Sequence, residues 1–173
     1  MKLKANRCNT YGTREWAVKT VNCCTGCFHD CVYCYAKEMA LRREQVAIGQ
    51  WSTEKIRQHD VARNHPKYPG VVMFPSSHDI TPNNLSACLQ VLGNLLVLRE
   101  VKKLRGGKKL IGGNDVLVVS KPHLDCIEAI CQQFGDYQEK ILFRFTIGAC
   151  DDQVLSFWEP GATAYIERMV ARN

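Results

Sequence analysis

The sequence predicts an α/β fold of parallel strands joined by helices, open or barrel-like, and three observations predict it. Short apolar runs at residues 70–74, 116–120 and 141–147 are bounded by glycine, proline or polar residues, as buried strands are. Stretches with helical periodicity separate them. Polar side chains gather directly after each apolar run, where sheets of this class place their chemistry.

Taken in order, residues 17–22 carry valines and a threonine and read as a first strand running into a group of cysteines. Residues 35–45 favour helix, with Ala36, Met39 and Ala40 forming a small apolar face. A second, polar helix is expected from Ser52, a good cap, fading before His65-Pro66. The run 70–74 is the second strand. Thr81-Pro82 starts a helix with proline in its first position. That helix is expected to turn Leu85, Cys88, Leu89, Leu92, Leu95 and Leu96 inward and to reach about Leu104. A glycine-rich loop leads to the third strand, 116–120, then a helix from about His123 to Phe134, the fourth strand, 141–147, and a helix from about Thr163.

Strict alternation of this kind argues for parallel pairing through right-handed crossovers. The carboxyl ends of the strands are then the cysteine group, Ser76 to Asp79, Ser120-Lys121, and Thr146 onward. Four parallel strands do not close a barrel, and the sequence stops at Asn173 within a helical pattern. The expected architecture is a partial (β/α) barrel, truncated after its fourth strand–helix unit.

The 173 residues suit one domain, 1–173, able to bury a core. A hydrophobic share of 46% with 23% charged residues excludes an intrinsically disordered chain. No run of about 18 apolar residues marks a membrane span. The start, Met-Lys-Leu-Lys-Ala-Asn-Arg, lacks the apolar segment of a secretion signal, so a cytoplasmic protein is expected. The net charge is +6. Its densest part, Arg99, Lys102, Lys103, Arg105, Lys108 and Lys109, reads as a solvated helix end and loop. A phosphate-contacting patch made mobile by Gly106-Gly107 and Gly112-Gly113 is the sharper alternative.

Five of the ten cysteines fall between Cys23 and Cys34. Cysteines so close in sequence close almost no loop and staple a fold poorly, so a metal or cluster site explains them better than disulfides. Soft thiolates suit zinc, copper(I) or iron–sulfur clusters. Zinc would use Cys24 with Cys27 and Cys31 with Cys34, but only three residues separate these pairs, where structural zinc sites leave a dozen or more. Four thiolates could wrap an electron-transfer cluster, as ferredoxin-type runs do, yet Tyr35 stands where those runs carry proline. The third reading takes Cys27-x-x-x-Cys31-x-x-Cys34 alone, with Tyr33 before the last cysteine. A fully ligated cluster can only pass electrons, whereas an open metal position can bind a substrate. Inside the loop, His29 and Asp30 are expected to face solvent or to cap the following helix. Cys23 and Cys24 are expected to be small buried residues, as are several of Cys8, Cys88, Cys126, Cys131 and Cys150.

The spacing with its aromatic residue resembles the signature of radical S-adenosylmethionine enzymes. That resemblance implies a 4Fe-4S cluster on Cys27, Cys31 and Cys34, S-adenosylmethionine on the open iron, and an external one-electron reductant of flavodoxin or ferredoxin type. From about Val21 to Arg168 the chain further resembles the spore photoproduct lyase, or DNA-repair photolyase-like, branch. The carriers are Gly-Cys-Phe-His-Asp-Cys-Val-Tyr-Cys-Tyr-Ala, Ser-Ser-His-Asp79, Val-Ser-Lys121-Pro-His-Leu-Asp125, Phe-Arg-Phe-Thr146-Ile and Trp-Glu-Pro-Gly-Ala-Thr, closing on Glu167-Arg168. By this resemblance Tyr33 packs near the adenine, while Ser77 and Asp79 meet the amino-acid or ribose end of S-adenosylmethionine. Lys121 pairs with its carboxylate and Thr146 hydrogen-bonds it; nucleic acid is the implied substrate class. Glu159 and Arg168 match family positions without an assigned role. Ser76 stands about where those lyases carry a hydrogen-donating cysteine, and a hydroxyl holds its hydrogen too strongly for that task. The residues themselves leave open a non-enzymatic electron-transfer module with Cys24 as fourth ligand.

Overall fold

The computed structural model describes residues 12–102 and 108–172. The chain enters through a short 3-10 helix, Gly12–Glu15, then β1 (Lys19–Thr20), β2 (Cys24–Thr25), α1 (Tyr35–Arg42), β3 (Lys55–Ile56), α2 (Gln58–Val61) and β4 (Val72–Met73). It continues with α3 (Leu85–Leu96), the strands β5 (Arg99–Lys102), β6 (Lys108–Ile111) and β7 (Val116–Ser120), and α4 (Leu124–Phe134). A 3-10 turn, Gly135–Lys140, leads to β8 (Ile141–Phe145), α5 (Asp152–Trp158) and α6 (Tyr165–Val170). No helix among the described residues is long and apolar enough to cross a membrane.

Four strands form one sheet in the order β1-β4-β7-β8, all parallel, so the expected α/β class holds. The sheet is open, with β1 and β8 at its edges, and no barrel closes among the described residues. Register decides what each face does. Val72 lies beside Val116 and Val116 beside Ile141, while Val118 lies beside Phe143. This face packs against Cys88, Val91, Leu92, Leu95 and Leu96 of α3 and Cys126, Ile130 and Phe134 of α4. The alternate residues, Met73, Leu117 and Val119, join only Ala17 in a small cluster. Successive residues of a strand point to opposite faces. One face is thus core, and the other is left as the floor of a cleft.

Three expectations change. The polar helix over residues 52–65 is replaced by β3, which pairs antiparallel with β2 (Cys24 with Ile56, Thr25 with Lys55), followed only by the four residues of α2. The Arg57 side chain enforces the pairing by donating to Asn22 O at 2.9 Å, Cys24 O at 2.9 Å and Thr25 Oγ1 at 2.8 Å. Local helix propensity yields to these tertiary bonds. Helix α3 stops at Leu96 instead of about Leu104, because Gly113 N and Asn114 N return to bond the carbonyls of Leu96 and Leu95. The basic stretch beyond it belongs to an antiparallel pair, β5 with β6, tied by Lys108 to Glu100 at 2.7 Å. Lys103, Arg105, Gly106 and Gly107 of that stretch lie outside the described residues, as does Cys8. Finally, α5 forms where the sequence offered no clear helix, capped by the Asp151 side chain, which accepts from Gln153 N and Val154 N.

Gly26 shows how tightly the cysteine loop is packed. Its φ is +93°, and a Cβ would run into the carbonyl oxygens of Thr53 and Trp51. Gly49 also has positive φ, but open space surrounds it. Gly26→Ala should therefore cost about 2–4 kcal/mol of stability by adding overpacking to left-handed strain. Gly49→Ala should cost only about 1 kcal/mol. Urea unfolding of both variants measures the contrast; equal losses would mean that the loop does not rest on residues 51–53 as described.

Candidate functional site

The loop between β2 and α1 carries Cys27, Cys31 and Cys34, and four backbone contacts fix it. Cys27 N donates to Trp51 O at 2.8 Å, and Phe28 N to Glu54 Oε1 at 3.1 Å. Val32 N donates to Trp158 O at 2.9 Å, and Gly161 N to His29 O at 3.1 Å. Glu54 is itself anchored, accepting from Thr81 Oγ1 at 2.7 Å and Asn84 Nδ2 at 3.0 Å. A Cβ on Gly161 would collide with Phe28 O, so only glycine lets the chain after α5 close over the loop.

A cleft of about 570 Å3 opens between this loop and the bare face of the sheet. All eight residues that the resemblance assigns to cluster or ligand line it: Cys27, Cys31, Cys34, Tyr33, Ser77, Asp79, Lys121 and Thr146. They arrive from the cysteine loop and from the ends of β4, β7 and β8, as the strand-end rule predicts. Met73, Val119 and Trp51 add apolar wall, and Arg144 from β8 stacks 3.9 Å from the Trp16 ring at the rim. Cys24 is not on the wall; its thiol is buried and faces Thr25 O and Gly26 O, each at 3.6 Å.

Asp79 is the junction of the site. Its Oδ1 accepts from Lys121 N at 2.9 Å, and its Oδ2 lies 2.8 Å from His29 Nδ1 and 3.5 Å from Lys121 Nζ. Its own N–H points at Cys27 Sγ, 3.5 Å away. Burial alone would raise its pKa, but the His29 hydrogen bond and the Lys121 ammonium outweigh it and hold the carboxyl well below the usual range. The thiols go the other way. Burial pushes Cys31 up to about 11, and burial together with the Asp79 charge raises Cys27 further. Both are proton-bearing at neutral pH, as buried thiols are. Cys34 caps α1, its sulfur accepting from Lys37 N at 3.4 Å.

His29 does not face solvent as expected: it is fully buried, with Nε2 2.8 Å from His123 Nε2. The closing backbone of Gly161 covers it, and only Asp79 and His123 remain for its two nitrogens. Asp30 is more nearly as read, holding Lys37 of α1 at 2.7 Å. Cys27, His29 and Asp79 bring their ligand atoms within 4.8 Å of one another, a grouping sequence spacing could not reveal. Tyr33 donates to Glu159, whose Oε2 takes Arg168 Nη1 at 2.5 Å in a pair fully buried on both sides. Arg168 also donates to Thr163 O at 2.7 Å. Glu159 and Arg168, without a role in the sequence reading, thus hold the ring that stands between Cys31 and Cys34. The residues that reading missed outright, Asn22 and Glu54, act through backbone groups. Asn22 Oδ1 accepts from Ser76 N at 2.7 Å and Ser77 N at 2.9 Å, fixing the turn after β4.

Arg168→Met leaves the buried Glu159 carboxylate without its counter-ion, with only the Tyr33 hydroxyl as donor, and should cost about 3–5 kcal/mol in urea unfolding. Adding Glu159→Gln should recover much of that loss; no recovery would show that Arg168 stabilises through packing alone.

No family model matches this chain, nor does any curated protein or solved structure.

Proposed function

We propose that the cleft holds a 4Fe-4S cluster on Cys27, Cys31 and Cys34 with S-adenosylmethionine beside it, and that the protein is a radical S-adenosylmethionine enzyme. The observation that carries this reading is the convergence of the three cysteines with Tyr33, Ser77, Asp79, Lys121 and Thr146 on one cleft. When bound, the cluster and S-adenosylmethionine supply reductive cleavage of the sulfonium to a 5′-deoxyadenosyl radical. The donor set fits: three soft thiolates on one short loop, two of them buried, leave a metal position open to a ligand.

The chain's own groups then divide the work. Lys121 Nζ is held loosely by Asp79 and keeps N–H groups for a carboxylate. Asp79 stays ionised and offers its remaining lone pairs to an ammonium. Thr146 and Ser77 sit at the same strand ends to hydrogen-bond the ligand. Met73, Val119 and Trp51 keep water from the reacting region, and Glu159 fixes the Tyr33 ring at its edge. The open sheet corresponds in this reading to the partial barrel of the family, and the spore photoproduct lyase resemblance favours a nucleic-acid substrate. A low-potential cluster implies a flavodoxin- or ferredoxin-type reductant and a reducing, cytoplasmic setting.

A second reading rests on Cys27, His29 and Asp79, whose ligand atoms could take one zinc-like ion with an open position. Both sites use Cys27, so they exclude each other. A third, an electron-transfer module with Cys24 as fourth ligand, must turn that thiol from its present carbonyl partners.

Anaerobic reconstitution with iron and sulfide, then dithionite and S-adenosylmethionine, should release deoxyadenosine. Cys31→Ala should reduce it to background, and Cys24→Ala should leave both cluster and product. A cluster lost in Cys24→Ala, with no deoxyadenosine from wild type, would replace this reading with the electron carrier. One zinc per chain, lost in His29→Ala and with no cluster formed, would replace it with the single-ion site.

A further inference from the structure

A second pocket lies away from the cysteine cleft, along the edge strand β1. It encloses about 230 Å3 and is walled by Lys19, Arg57, Asp60, Arg63, His65 and Tyr68, among others. Three cations face one carboxylate. Asp60 takes Arg57 Nε at 2.6 Å and Arg63 Nη2 at 3.2 Å, so its single charge is already shared between two guanidinium groups. His59, on the outer side of α2, is 3.6 Å from the same carboxylate. Lys19 is exposed and has no hydrogen-bond or ion-pair partner among the described residues. The wall therefore carries two positive charges that the protein does not balance.

His65 is a second, independent sign. It is only 3% exposed, yet its Nε2 has no hydrogen-bond partner among the described residues. Buried polar nitrogens in folded proteins are nearly always paired, and an unpaired one calls for a water, an ion or a ligand. Burial, with Arg63 and Lys19 nearby, lowers its pKa, so the ring is neutral and able to donate one N–H without adding charge.

We propose that this pocket binds a phosphate-sized oxyanion, with Lys19, Arg63 and the His65 ring as its donors. The volume has room for a tetrahedral anion with several waters or with part of a larger group, and a dianion matches the unbalanced charge. Arg57 contributes charge while its own donors hold the carbonyls of Asn22 and Cys24. The anion would thus sit against the segment that leads into the cysteine loop. The same chemistry could come from inorganic phosphate or from the phosphoryl end of a nucleotide. Nothing in this assignment depends on what the cysteine cleft holds.

Isothermal titration of the full chain with inorganic phosphate at low ionic strength tests it, repeated with a nucleoside 5′-monophosphate. Wild type should bind one equivalent saturably, and the Lys19→Ala/Arg63→Ala double variant should lose at least about tenfold in affinity. Arg42→Ala/Arg43→Ala removes the same charge from the far end of α1 and should bind as wild type does. Thermal melts of the variants separate lost binding from lost folding, and His65→Phe, which deletes the donor without touching a charge, should also weaken binding. Tighter binding of the nucleotide than of phosphate identifies the phosphoryl end of a larger ligand, and equal binding identifies the free ion; both support the pocket. No saturable binding, or equal losses in the two double variants, overturns it.

Discussion

The Asp79 carboxylate joins three separate parts of the chain: its oxygens reach Lys121 at the end of β7 and His29 in the cysteine loop, and its own backbone follows β4. An ionised group with so little exposure is stable only when close cationic and N–H partners offset its lost hydration, and here His29 and Lys121 do so. The geometry of the cleft follows from that requirement. Cys27, His29 and Lys121 keep their relative places because the carboxylate cannot give up its partners cheaply. His29 extends the same network to His123 at the start of α4, so the helix behind the sheet is linked to the loop in front of it.

Around this junction the sheet is built unequally. Val72, Val116 and Val118 go under α3 and α4, where apolar burial supplies most of the stability. The opposite face carries Met73, Val119 and Arg144, too mixed in polarity to need a second layer of helices. A fold that covers only one face of its parallel sheet keeps the other for a ligand, provided something closes the top. The cysteine loop does so, pressed down by Gly26 against residues 51–53 and by Gly161 against Phe28. Both close approaches need the absence of a side chain.

The buried Glu159–Arg168 pair extends the closure to the last two helices. An ion pair removed from water stabilises little by itself, since desolvation offsets most of its attraction. Its value lies in direction: Glu159 receives the Tyr33 hydroxyl, and Arg168 gathers the carbonyl of Thr163 around it. The ring beside the cysteines is thereby held from a helix more than a hundred residues further along the chain.

Local pattern was enough for much of this. The runs at 70–74, 116–120 and 141–147 became β4, β7 and β8 because a short apolar segment between turn residues has few other ways to bury itself. Leu92, Leu95 and Leu96 went inward at helical spacing, and the cleft residues were legible because parallel strands deliver polar groups at one end. Sequence could not show that residues 55–56 would leave a helix to pair with β2, that α3 would end at Leu96, or that His29 would be buried between Asp79 and His123. Each depends on partners from 17 (Leu96 to Gly113) to 94 (His29 to His123) residues away. Local propensities are worth fractions of a kcal/mol per residue, so a hydrogen bond or close approach set by distant chain overrides them. The sequence alone therefore determined the alternation of the four main strands with helices, their parallel pairing, the inward face of α3 and which residues stand at the strand ends. The tertiary structure alone decided which of them touch, which are buried, and which face of the sheet stays open.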